Sequence, residues 1–215
     1  MNIIETFTAK GYTPAAYVAG TFGQPRTLDG IVIHHWGALG QTHDGVVNFF
    51  VNGPGTTSAH FVASAGKVHC LVSPEDAAWH SGNAKGNATT IGIECRPEAS
   101  DADYRTVAEL VAWLRDTYNA PLPLSAHRKW QNTACPGVWD LARVDRLAST
   151  ATPTTPAPIP LGDPLAKLND KQQQELYTWV KEIRENTKDL NVDSGTGKLS
   201  LRQAIANIRA KVGAK

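Results

Sequence analysis

Residues 31–37 read IVIHHWG: three β-branched apolar side chains run straight into two histidines, a tryptophan and a glycine. A short apolar run of this kind predicts a core strand, yet it ends on imidazoles, which need a partner or a task once buried. Side chains alternate along a strand, so His34 and His35 point to opposite faces and only one of them can serve a given site. A rigid strand end is a good place from which to aim an imidazole at a metal.

Working outward, AHFVAS (59–64), VHCLVS (68–73) and TTIGIEC (89–95) have the same short, turn-bounded character, and AGK (65–67) predicts a hairpin turn between the first two. From Ser100 the period changes. Tyr104, Val107, Val111, Leu114 and Tyr118 recur at three- and four-residue steps, predicting a helix that Pro121 and Pro123 stop. Val138, Leu141, Val144 and Ala148 predict a second, shorter helix. The fold class that follows is α/β, a mixed central sheet flanked by helices, over residues 1–149.

Residues 150–164, TATPTTPAPIPLGDP, are mostly Ala, Thr and Pro, a linker composition. Beyond it, residues 165–215 carry two apolar stripes, Leu176, Val180, Ile183 and Leu190, then Leu201, Ile205, Ile208 and Val212, which predict a small helical tail. Ser200 and Gln203 have capping-box spacing at the start of the second stripe. The tail is the more basic part, net +3 over residues 151–215 against −2 over 1–150. Every histidine and cysteine falls at or before Cys135, so metal chemistry belongs to the first part. The GTGK fragment of NVDSGTGK (191–198) is too short for a phosphate-cradling loop.

With 215 residues, 41% hydrophobic and 19% charged, the chain has an ordinary globular composition, and a net charge of +1 gives no reason to expect a nucleic-acid partner. No apolar run is long enough for a membrane span, and the start, MNIIETFTAKGY, lacks the features of a signal peptide, so synthesis and initial residence in the cytoplasm are expected. Three cysteines do not make a disulfide framework.

The chemistry concentrates in SAHRKWQNTACPGVW (125–139), where a histidine and a cysteine are separated by seven residues. That is not the spacing of a closed structural zinc site. If a histidine of the 31–37 strand adds a third donor to His127 and Cys135, the result is a three-ligand site with an open position, the arrangement of a hydrolytic zinc. Glu94 ends an otherwise apolar strand, where a carboxylate needs a partner such as Arg96, an outlet to solvent, or a catalytic task.

IVIHHWG, SAHFVAS, AAWHSGN, IGIEC and SAHRKWQNTACPG, in this order and at these separations, resemble the zinc-dependent type-2 N-acetylmuramoyl-L-alanine amidases, a family that includes phage lytic amidases, muropeptide amidases and peptidoglycan recognition proteins. The resemblance covers about residues 25–148. It implies a Zn2+ cofactor held by His34, His127 and Cys135, and Glu94 as general acid/base. It also implies hydrolysis of the amide joining N-acetylmuramic acid to L-alanine. Branches that use a tyrosine in the SAHF block differ here, because Ala59 stands in its place, and the lysine that some phage relatives carry two residues before the cysteine is Thr133, whose hydroxyl can donate to an oxyanion. His60 and His80 lie in matching blocks, as second-sphere or buried hydrogen-bonded groups, and Trp36 and Trp79 offer flat faces to sugar or stem peptide or belong to the core. His43 and His69 are assigned no role; Cys70 and Cys95 are expected to be reduced and buried.

The implied setting is a phage endolysin released by a membrane-permeabilising (holin) partner. Its tail would bind anionic wall polymers or self-associate. Rival readings are a non-catalytic peptidoglycan binder, a stem-peptide endopeptidase on the same scaffold, and a bacterial recycling amidase.

Overall fold

A computed structural model describes residues 2–5 and 9–151. In chain order the elements are β1 (Asn2–Glu5), β2 (Tyr12–Thr13), α1 (Ala15–Phe22), β3 (Gly30–His35), α2 (His43–Asn52), β4 (Phe61–Ser64), β5 (Lys67–Cys70), β6 (Ala77–Ala78), α3 (Ala84–Thr89), β7 (Thr90–Cys95), α4 (Asp101–Tyr118), β8 (Leu124–Ala126), a 3-10 turn (His127–Lys129) and α5 (Leu141–Thr150). Six strands form one sheet in the order β1-β5-β4-β7-β3-β8, while β2 and β6 make a separate pair. Only the β4–β5 hairpin is antiparallel within the large sheet. Its turn is Ala65-Gly66, with Ser64 paired to Lys67 and Gly66 at φ 75°. The sheet is therefore mixed, as the sequence implied.

The two faces of the sheet have different work. Ile31, Ile33, Phe61, Ala63, Ile91 and Ile93 pack with Val107, Leu110, Val111 and Leu114 of α4 and Val144 and Ala148 of α5 in one core. Leu110 and Leu114 are fully buried, so truncating either to alanine costs about 2–5 kcal/mol. Ser100 caps α4, and Asp103 returns the bond to the Ser100 backbone N–H. On the opposite face, Val62 packs with Val46 and Phe50 of α2 and with Leu71 and Val72. By alternation His34 and Glu94 lie on this second face, opposite the main core.

Three expectations need correction. The strand foreseen over 68–73 ends at Cys70, because Leu71 and Val72 turn into the smaller core. Val138 is 72% exposed and precedes α5, which starts at Leu141 because the Asp140 carboxylate accepts from the Ala142 and Arg143 N–H groups. Thr150, read as the start of the linker, is the last residue of α5. Helices α1 and α2 carried no period long enough to stand out. The rest of the linker beyond Ala151 and the whole helical tail lie outside the described residues. Among the described residues no helix is long and apolar enough to cross a membrane.

Candidate active site

Parallel pairing sets His34 of β3 beside Glu94 of β7, with Nδ1 4.0 Å from Oε1. On the other side of β3, Ile33 pairs with Ala126, the last residue of β8, so the chain leaving β8 delivers His127 next to the end of β3. The His34 and His127 ring centroids are 4.3 Å apart. The following loop is closed by the Arg128 N–H donating to the Cys135 carbonyl, which brings Cys135 Sγ to 3.8 Å from His34 Nδ1. One donor atom from each of His34, His127 and Cys135 lies within 4.8 Å of the others. His35 turns its ring elsewhere: its Nδ1 accepts from the Gly37 N–H, while its backbone N–H donates to Cys135 Sγ.

Hydrogen bonds fix which nitrogen each imidazole presents. The Ser81 carbonyl can only accept, so His127 donates through Nε2 at 3.1 Å and keeps Nδ1 unprotonated. For His34 the constraint starts further away. The Thr90 hydroxyl donates to the Gly86 carbonyl at 2.6 Å, and its oxygen accepts from His80 Nε2 at 3.3 Å. His80 Nδ1 is then an acceptor, and His34 Nε2–H donates to it at 3.0 Å. The lone pair of His34 Nδ1 is left facing Cys135 and Glu94. Residues that fix ligand tautomers in this way are the usual support of a metal centre.

Burial holds His34 and His80 well below the ordinary histidine range and lowers His127 as well, so all three are neutral. Burial pushes the Cys135 thiol up to about 11 and the Glu94 carboxyl up to about 8. Glu94 Oε2 has no hydrogen-bond partner among the described residues. Two neutral imidazoles, a thiol that needs a cation to ionise and an orphaned carboxylate oxygen fit a divalent metal beside an acid/base.

Residues 24–138, more than half of the chain, match the N-acetylmuramoyl-L-alanine amidase family. The chain belongs to that family. It is an enzyme of this class, and solved structures agree on the fold. A mutant endolysin from Bacillus subtilis shares 20% identity over 69% of this chain and 97% of its own, with a TM-score of 0.53. The amidase LysC from Clostridium intestinale shares 19% over 70% and 99%, at 0.51. The hydrolase AmiA from Staphylococcus aureus, solved with its ligand, shares 17% over 69% and 82%, at 0.55. No curated protein matches the chain significantly.

In this amidase a cleft of about 750 Å³ reaches the cluster at His127 and Glu94, and is lined also by Phe22, Trp36, Phe49 and Trp79 among others. Trp79 is pinned by its Nε1–H donating to Thr13 Oγ1. Trp36 Nε1 has no partner among the described residues. Thr133 turns its hydroxyl oxygen to the Cys135 N–H, which it accepts at 3.2 Å. His60 is fully buried; its Nδ1 accepts from the Gly92 N–H at 2.9 Å and its Nε2 meets the Asp76 carbonyl at 3.2 Å. Cys70 and Cys95 are buried, and no disulfide joins any of the three cysteines. Arg96 pairs with Glu98, leaving Glu94 without the partner its strand-end position suggested.

Sequence reading passed over Arg26, Gly92 and Thr90. The buried Arg26 guanidinium donates to the carbonyls of Pro74, Asn87, Ala88 and Thr90, tying together the segments that carry His80. Gly92 lies under the His80 ring, where a Cβ would come within 2.5 Å of Cγ. The glycine inside the apolar IGIE strand was the one available signal, since it marks a close approach. Arg26, in a QPRT loop, had none.

Proposed function

We propose that this amidase is a zinc-dependent peptidoglycan hydrolase that cleaves the amide between N-acetylmuramic acid and L-alanine, acting as a phage endolysin. The observation that carries the reading is the convergence of His34, His127 and Cys135 next to Glu94, whose Oε2 has no partner among the described residues, with His127 and Glu94 reaching the cleft. When bound at these three residues, zinc supplies Lewis acidity toward an amide carbonyl and water. Glu94 takes the proton from the attacking water and later returns it to the departing alanine nitrogen. Burial raises this carboxyl to about 8, which suits the delivering half of that task, and a cation bound beside it would favour the carboxylate form that the accepting half needs. His80 and Ser81 keep the two imidazoles oriented, and Trp36, Trp79 and Phe49 offer aromatic surface along the cleft. The lytic role is supported by the sequence resemblance and by an endolysin among the structural neighbours.

Digestion of purified peptidoglycan followed by mass spectrometry tests the bond. New free N-terminal alanine with intact glycan strands is the expected product. A different new terminus would identify an endopeptidase, and no product would leave a binding protein. Metal analysis of the purified chain is expected to return zinc bound through Cys135, lost in Cys135→Ala.

A further inference from the structure

A second group of metal-ligating side chains lies away from the catalytic cluster. His43 is the first residue of α2, His69 lies in β5, and Asp44 follows His43. One donor atom from each lies within 4.8 Å of the others. His43 Nε2 is 2.8 Å from His69 Nδ1, and the rings are 5.0 Å apart. His43 Nδ1 meets Ser64 Oγ at 2.7 Å. If that nitrogen carries the proton and donates to Ser64, Nε2 presents a lone pair toward His69, the orientation device seen around His34 and His127. Asp44 is at present paired with Lys67, an ion pair whose partners are 74% and 38% exposed. Such a pair is weak and easily exchanged for a stronger cation.

We propose that His43, His69 and Asp44 form a second cation site, selective for a divalent transition metal such as Ni2+, Zn2+ or Cu2+. Two imidazoles and one carboxylate make a borderline donor set, which suits these ions and not Mg2+ or Ca2+. Binding is proton-neutral: the His69 proton moves from Nδ1 to Nε2, both facing nitrogens offer lone pairs to the ion, and Asp44 exchanges Lys67 for the ion while the ammonium turns to solvent. The site stands behind the cleft wall. Trp36, which lines the cleft, meets the His43 ring edge-on at 6.2 Å between centroids. A paramagnetic ion held by His43 is therefore close enough to quench Trp36 fluorescence.

The test uses the full chain, stripped with chelator and titrated with Ni2+ while calorimetry and tryptophan fluorescence are followed. A His34→Ala/Cys135→Ala variant, which disables the catalytic cluster, is expected to bind one equivalent and to be quenched, and adding Trp36→Phe is expected to remove most of the quenching. This separates the inference from the zinc assignment, which fails or stands on the other cluster. His69→Gln in that background is expected to weaken binding at least tenfold. Two exposed positions guard against misfolding and predict opposite signs: Asp44→Asn weakens Ni2+ binding several-fold, whereas Lys67→Gln, by freeing Asp44, tightens it. No binding in the cluster-disabled variant, or affinities that ignore both Asp44 and Lys67, would overturn the site.

Discussion

His34 and His80 meet edge to edge, with Nε2 of the first 3.0 Å from Nδ1 of the second and the ring planes at 85°. The bond passes a constraint inward from Thr90 to His34, so the orientation of the candidate ligand is decided two side chains away.

Thr90→Val keeps the shape of the buried residue and removes the oxygen that accepts from His80 Nε2. The lost partner is expected to cost about 1–3 kcal/mol of stability, and zinc affinity is expected to fall roughly 10- to 100-fold. Competition with a chromogenic chelator reads the second effect. Unchanged affinity with lowered stability would reduce Thr90 to a packing role.

Gly92→Ala should be worse for activity than its size suggests. The added methyl meets the His80 ring, which is buried and has nowhere to go. Overpacking is expected to cost about 1–3 kcal/mol, and the displaced ring should take His34 out of alignment. The measurement is hydrolysis set against thermal melting; retention of full activity would show that His80 tolerates movement.

Glu94→Gln removes the proposed acid/base and leaves the shape of the cleft alone. Turnover should fall roughly 10²- to 10⁴-fold. Melting temperature should change little, because no hydrogen bond to Oε2 is lost and the neutral amide replaces a group whose charged form burial already disfavours. A variant that keeps its turnover would move the acid/base role to another group.

Arg26→Met replaces a guanidinium that donates to four backbone carbonyls with an apolar chain of similar reach. Stability is expected to drop by about 3 kcal/mol or more, since several buried acceptors lose their donors together. Chemical denaturation measures it directly.

His60 supplies a pH dependence of known sign. Burial, and then the neighbouring Arg26 charge, hold its pKa well below the ordinary 6.5. Its contribution to stability is complete above about pH 6.5 and is lost as the pH falls, because the unfolded chain takes up a proton that the buried ring refuses. His60→Asn should keep the Gly92 bond and flatten this acid slope. A difference between wild type and variant that stays constant from about pH 7.5 to about pH 5 would contradict the assignment.

The four apolar strands and the helix after Ser100 were legible because their residues contact neighbours in one repeating geometry, which leaves a period in the sequence. Helices α1 and α2 left little, since each buries only one or two residues: Val18 in α1, Val46 and Phe50 in α2. The SAHRKWQNTACPG block announced its donors because two ligands lie in one local loop. Arg26 and Thr90 announced nothing, because each serves backbone or side chains far away in the chain.

By itself the sequence determined the alternation of the strands, the mixed α/β class and the chemical types available for a metal and an acid/base. Only the tertiary structure decided that His34 stands beside Glu94 and that His80 and Thr90 set its tautomer. It also decided that His43 and His69, with no motif to join them, share one pair of facing nitrogens. The reason is physical: periodicity records what each residue does to its near neighbours, whereas strand register and hydrogen-bond direction arise only when distant segments meet.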